Sequence, residues 1–178
     1  MDKAVNPDAN IQIIPAGLAQ KPVLANLLEL YMHDFCDFID LELRSDGRFG
    51  YNELDLYWTD PRRHPFLVHV DGKLAGFALV RGVHNASQAT VAWDMAEFFI
   101  LRSYRRRGIG IRAAHQVFRK FCGNWEVRVM VSNEPASRFW FHAIKGFAGE
   151  EIVAVRMKQG GKDWRRFSFE SRPASHEP

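Results

Sequence analysis

The 178-residue chain holds only two cysteines, Cys36 and Cys122, and no CxxC pair. A disulfide framework and a cysteine-based zinc site are therefore excluded. Apolar runs such as Ala96–Leu101 are broken by charge, far short of the roughly 18 residues that a spanning helix needs. No apolar segment follows a basic one at the N-terminus, so no secretory signal is expected, and a cytoplasmic, reducing setting is the default. Repeats, low-complexity tracts and internal linkers are absent too. What is present is ordinary globular material, 47% apolar and 25% charged, enough for one domain with one sizeable core. We expect that domain to span 10–170, with 1–9 and 171–178 as loose polar tails.

The net charge of +3 hides a strong segregation. Nine acids and two bases lie between Glu29 and Asp60, whereas Arg102–Arg112 holds five arginines and no acid. Such a chain suits one anionic and one cationic ligand, or simply two solvated faces of opposite sign.

Periodicity gives the elements. Ile11–Ile14 reads as a strand. Pro22 opens a helix carrying Val23, Leu24, Leu27, Leu28, Tyr31, Met32 and Phe35. A short helix is expected through Leu54–Trp58. Pro65–Val70 and Leu74–Val80 flank Asp71-Gly72-Lys73, a hairpin signal. Thr90–Leu101 is a long strand, and a helix follows from about Gly108 to Phe121, closed by Gly123. Trp125–Val131 is the next strand and Pro135–Lys145 the next helix, with Gly146 as its stop. Ile152–Arg156 and Trp164–Phe169 form a last hairpin. The order is mixed α/β around one sheet.

The stretch Glu97–Arg112 carries the chemistry. A strand runs into a loop, and the loop opens a helix whose first turn holds Gly108 and Gly110. The first four amides of a helix lack internal partners, and the helix dipole favours negative charge there. Glycines let a phosphate approach those amides, and Arg105, Arg106, Arg107 and Arg112 add donors suited to its oxygens. Gly108-Ile-Gly-Ile-Arg-Ala113 also matches the dinucleotide fingerprint G-x-G-x-x-A. In that fold, however, the strand meets its first glycine almost directly, and here Arg102–Arg107 intervene. No P-loop motif exists. An arginine-rich nucleic-acid patch remains a weaker reading.

Arg105-x-x-Gly108-x-Gly110 resembles the Q/R-x-x-G-x-G/A acetyl-CoA signature of the GNAT superfamily of N-acetyltransferases. Asn133-Glu-Pro-Ala136-Ser-Arg-Phe139-Trp140, followed by Gly146-Phe147, resembles that superfamily's N-x-x-A-x-x-F-Y segment with its later G-F. The likeness looks closest to a bacterial subgroup of predicted acetyltransferases. It implies a mixed, mostly antiparallel sheet of six to seven strands, helices on both faces and splayed central strands. It also implies direct acetyl transfer from acetyl-CoA to a primary amine. The amides of Arg107, Gly108, Ile109, Gly110 and Ile111, with the Arg105 side chain, would hold the CoA pyrophosphate, and Arg102 and Arg106 are further cofactor-binding candidates. The strand Phe98–Arg102, including Phe99, would pair with the pantetheine arm. The Ile100 amide would polarise the thioester carbonyl. Asn133, Ala136, Phe139 and Trp140 would lie beside the arm.

Transfer needs a neutral amine, and Glu97 or Asp94 could take the proton. Three apart on a regular strand, these two face opposite sides, so one alone should reach the cleft, unless a bulge cancels that parity. Glu97 is preferred, because related polyamine-type enzymes resemble this strand in having acids just before a Phe-Phe pair. The family commonly has a tyrosine at the place of Trp140 to protonate the departing thiolate. An indole cannot do this. Another group or water would serve, or activity is weak or lost, which keeps a non-catalytic CoA-binding module as the alternative.

The acceptor site is expected from residues 33–60 and the last hairpin. Their acids and aromatics (Phe35, Phe38, Phe49, Tyr51, Tyr57, Trp58) suit a small cationic amine or a basic peptide end. The seven histidines, His64 and His69 among them, show no ligand spacing, so no metal is expected. Neither nucleic acid nor membrane is expected as partner, and a homodimer is compatible with the sequence.

Overall fold

The structure, a computed structural model, describes residues 8–84, 91–149, 152 and 154–172. Seven strands form one sheet: β1 Ile11–Pro15, β2 Arg63–Val70, β3 Lys73–His84, β4 Val91–Ile100, β5 Gly123–Met130, β6 Ala154–Gln159 and β7 Lys162–Ser171. Their order across the sheet is β1-β2-β3-β4-β5-β7-β6. Every neighbouring pair is antiparallel except β4 and β5. The α-helices among the described residues are α1 Lys21–Phe35, α2 Leu56–Thr59, α3 Ile109–Lys120 and α4 Glu134–Ala148.

Two buried clusters divide the sheet's faces. Leu24, Leu27 and Leu28 of α1 and Tyr57 of α2 bury Leu67, Phe77, Leu79 and Phe99. On the other face Ala113, Val117 and Phe118 of α3, with Trp140 and Ile144 of α4, cover Val68, Ala78, Met95, Trp125 and Phe167. Helices therefore lie on both faces, each presenting the apolar stripe that its sequence spacing set out. Among the described residues no helix is long and apolar enough to cross a membrane.

Several boundaries differ from expectation, each for a local reason. Asp71 (φ 51°) and Gly72 (φ 74°) make the left-handed pair that a two-residue hairpin needs. Gly146 does not stop α4. It sits inside the helix, where an added Cβ would meet the His115 ring of α3 at 3.6 Å. Gly149, at φ 68°, is the stop. Likewise Gly123 does not close α3; it begins β5. Ala9 is buried and Ser171 Oγ donates to Phe118 O at 2.9 Å, so both supposed tail residues belong to the fold. Residues 1–7 and 173–178 of those tails, and Thr90 of the expected strand, lie outside the described residues.

Candidate functional site

The site begins where the sheet opens. Among the described residues β4 and β5 are paired only at Trp93–Trp125 and Asp94–Glu126, and beyond those rungs the ladder stops. The Leu101 amide donates to Ala75 O on the β3 side. Main-chain groups of successive strand residues alternate in direction, so those of Ile100 and Phe98 point away from β3, into the gap. The Phe98 ring stacks on Phe139 of α4, with centroids 5.8 Å apart, and meets Trp140 edge-on at 5.2 Å. Trp140 is 7% exposed and also contacts Phe118. It is a core aromatic rather than an open lining residue. The Phe99 side chain lies in the α1-side core, so only its main chain borders β3.

At one end of this gap stands the start of α3. Gly108, at φ 70°, is its N-cap, and no side chain caps the helix. The first-turn amides of Ile109, Gly110 and Ile111 therefore face outward without internal partners. Arg106, at φ 57°, is also left-handed, so two positive-φ residues turn the chain between Arg105 and the start of α3. The two glycines do different things. A Cβ on Gly108 would meet nothing within 4 Å, whereas one on Gly110 would lie 3.0 Å from the Phe139 ring. Gly108 leaves room for an anion, and Gly110 lets α3 approach α4. Ile109 is buried and Ile111 packs against the core, so both can contribute only main chain to a ligand.

The arginines are less free than the sequence suggested. Arg105 Nε donates to Ile100 O at 2.6 Å, its Nη2 donates to Asp34 Oδ2 at 2.5 Å, and its guanidinium lies 5.3 Å from the Phe99 ring centre. Arg102 donates to the other Asp34 oxygen at 2.6 Å. Arg105 is thus folded back on the strand end, not extended over the helix start, because Asp34 at the end of α1 competes for it. Burial would raise the Asp34 pKa, but hydrogen bonds from Arg105 and Arg102 more than offset this and hold it below its usual value. Arg112 turns away entirely and donates to Ala9 O at 2.8 Å. Exposed Arg106 and half-buried Arg107 remain beside the uncapped amides.

Glu97 sits on the α1 side of β4. Its Oε2 accepts from Tyr31 at 2.6 Å and its Oε1 from Tyr51 at 3.1 Å. Burial pushes its pKa up to about 6, opposed by these two donors; nearby Asp94 pushes the same way and Arg81 the other. Burial and the Glu97 charge raise both tyrosine pKa values, so the phenols stay protonated donors. The parity argument fails here. Leu79 pairs with Glu97 but Val80 with Met95, so Ala96 is an extra residue in β4. This bulge brings Asp94 and Glu97 to the same face. Only one of them is available, however. Asp94 is 1% exposed and its Oδ2 accepts from Arg81 and Arg128, both at 2.8 Å.

Asn133 is the N-cap of α4, its side-chain oxygen accepting from the Ala136 amide at 3.0 Å, so its amide nitrogen alone is left for a ligand. The acidic segment is also largely used up within the protein. Glu29 accepts from the Phe49 and Gly50 amides, Glu53 pairs with Arg63, Asp55 with Lys21 and Asp60 with Arg62. Tyr31, Tyr51 and Asp34 are the site residues that sequence reasoning missed as partners; no sequence signal pairs positions this distant.

A family model described as the acetyltransferase (GNAT) family matches residues 24–147. The chain belongs to this family. Solved GNAT-type structures share its fold at low identity. An acetyltransferase from Thermus thermophilus is 18% identical, with TM-score 0.63 over 95% of this chain and 100% of that one. The aminoglycoside N(6')acetyltransferase from Legionella pneumophila is 13% identical, with TM-score 0.65 over 96% and 94%. Arabidopsis thaliana NAA60, solved in complex with acetyl-CoA, is 15% identical, with TM-score 0.58 over 90% and 98%. No curated protein matches the chain. The GNAT fold thus accounts for the mostly antiparallel sheet and its opened centre.

Proposed function

We propose that this GNAT acetyltransferase transfers an acetyl group from acetyl-CoA directly to a primary amine, with Glu97 as the general base. The observation that carries the reading is a half-buried carboxylate, held at both oxygens and with its pKa raised to about 6, on the strand that borders the gap. At neutral pH this group is ionised and able to accept a proton. A lysine-like ammonium must lose one before it can attack, at a cost of roughly 4–5 kcal/mol at pH 7.

The other residues have positioning work. The amides of Arg107–Ile111, with Arg106 and Arg107, fit a diphosphate, because the helix start is uncapped and open at Gly108. Arg105 and Arg102, anchored on Asp34, flank that place. The outward amides of Phe98 and Ile100 can pair with an extended arm, and the Ile100 amide would donate to a thioester oxygen. Asn133, Ala136 and Phe139 line the α4 side. Trp140 supports this wall from the core and supplies no proton. A thiolate whose acid has pKa ~8.5 departs without help from α4.

The decisive experiment is a screen of primary amines, with free thiol measured as product. Release that depends on both acetyl-CoA and an amine supports the reading. If acetyl-CoA binds and no amine or peptide terminus releases thiol, the non-catalytic CoA-binding module is the better description.

A further inference from the structure

We infer that Glu29 is a positioning residue for the reaction: it fastens the loop 44–52 to α1 and so sets the Tyr51 hydroxyl on Glu97. The inference rests on the acetyl-transfer reading above and deepens it, because it names what fixes the second donor of the base.

Residues 36–55, between α1 and α2, form neither strand nor helix. A segment of this kind has no ladder to hold its side chains in place, so its order depends on individual contacts. Glu29, half-buried on α1, supplies two of them. Its Oε2 accepts from the Phe49 amide at 2.7 Å and its Oε1 from the Gly50 amide at 3.0 Å. Such charge-assisted pairs are strong, and two together fix orientation as well as distance. Gly50 makes the grip possible. Its φ is 71°, and an added Cβ would collide with the Arg44 guanidinium. Arg44 in turn donates to Asn52 Oδ1 at 2.6 Å, and its amide donates to Arg48 O at 2.9 Å. The loop is thus closed on itself from Arg44 to Asn52 and tied to α1 through Glu29.

Tyr51 follows Gly50 directly. Its hydroxyl donates to Glu97 Oε1 at 3.1 Å, while Tyr31, two residues beyond Glu29 on α1, donates to Oε2 at 2.6 Å. One helix therefore sets both donors, Tyr31 directly and Tyr51 through Glu29. Tyr51 has other holds: its carbonyl accepts from the Leu54 amide at 3.1 Å, and its ring packs on the α1-side core. These fix the residue from its C-terminal side, and Glu29 fixes it from the N-terminal side. Tyr57 of α2, Asp94 of β4 and Arg81 of β3 also act on the Glu97 charge. A double-mutant cycle separates the share of Tyr51 from theirs.

The cycle combines Glu29→Ala with Tyr51→Phe and reads the acidic limb of kcat/KM with the best amine. Phenylalanine keeps the ring and removes the donor, so Tyr51→Phe alone should move the limb up by roughly half to one pH unit. In the Glu29→Ala background it should move the limb by less than about a third of that. Glu29→Gln keeps one acceptor oxygen, should couple to Tyr51 in the same sense but less, and serves where Glu29→Ala does not fold. Equal shifts in all backgrounds that fold would overturn the proposal and leave Glu97 standing as the base. A merely structural Glu29 would lower Tm without this coupling. A second readout needs no turnover. The Tm gap between each protein and its Glu97→Gln counterpart changes from pH 4 to pH 8 as Glu97 ionises. Tyr51→Phe should enlarge that change when Glu29 is present and leave it unaltered when Glu29 is replaced. Coupling of this kind with no amine turned over would support the placement of Tyr51 by Glu29 and overturn the transfer reading. Coupling in neither readout would overturn the placement.

Discussion

Glu97 is held in a setting that costs stability, and the proposed base role would use that setting. Its carboxyl has a pKa of about 6 in the folded protein against an ordinary 4.5. A raised acid binds its proton more tightly when folded, so this site is least costly below pH 4.5 and its cost grows as pH rises through 6. Above that the ionised group costs about 2 kcal/mol. Glu97→Gln should therefore melt higher than wild type at pH 8, with the gap closing by pH 4, while losing at least about 100-fold in kcat with the best amine. Equal turnover over pH 6–9 would remove Glu97 from the mechanism. Tyr31→Phe tests the other side of the balance. Its hydroxyl stabilises the carboxylate, so its loss should move the acidic limb of kcat/KM to higher pH. The sequence pattern marked Glu97 as an acid before Phe98-Phe99. It could not show the tyrosines, because Tyr31 and Tyr51 reach Glu97 across 66 and 46 residues. It misplaced Asp94 because the bulge at Ala96 leaves no mark in residue type.

At the scale of elements, the two glycines that open α3 look alike in the sequence and are unlike in space. Gly108→Ala places a Cβ in open surroundings but at φ 70°, a conformation that costs an L-residue roughly 1–2 kcal/mol. The methyl would stand where the proposed diphosphate site lies. We expect a modest drop in Tm and a loss of acetyl-CoA affinity of at least about tenfold by calorimetry. Gly110→Ala drives a methyl to 3.0 Å from Phe139, so its main effect should be a lower Tm through the α3–α4 contact. If Gly110→Ala keeps full stability and Gly108→Ala keeps full affinity, the assignment of the two is reversed. The same ambiguity affects Gly146 and Gly149. Residue type alone allows either to stop a helix, and only the backbone, helical at Gly146 and left-handed at Gly149, tells them apart. Helix faces and hairpin turns were legible because they depend on local spacing. Which glycine meets a ligand and which meets a helix depends on tertiary neighbours.

Across the whole molecule, the segregated charge has a structural use that composition could not reveal. Asp34, from the acidic half, clamps Arg102 and Arg105 from the basic half and so ties the end of α1 to the loop before α3. The remaining positive charge, on Arg106, Arg107 and the uncapped helix start, has no such clamp among the described residues, and in the proposed function it attracts a polyanion. Acetyl-CoA at 100 times its Kd should then stabilise the fold by about 2.7 kcal/mol. For a chain of this size that is a rise in Tm of roughly 5–10 °C. Because the attraction is between partly exposed charges, it is screened as the Debye length falls from ~10 Å at 0.1 M salt towards ~3 Å at 1 M. Protection at a fixed acetyl-CoA concentration should shrink steadily over that range. Protection that is independent of salt would place the binding energy in the apolar wall of Phe98 and Phe139 instead of the arginine loop.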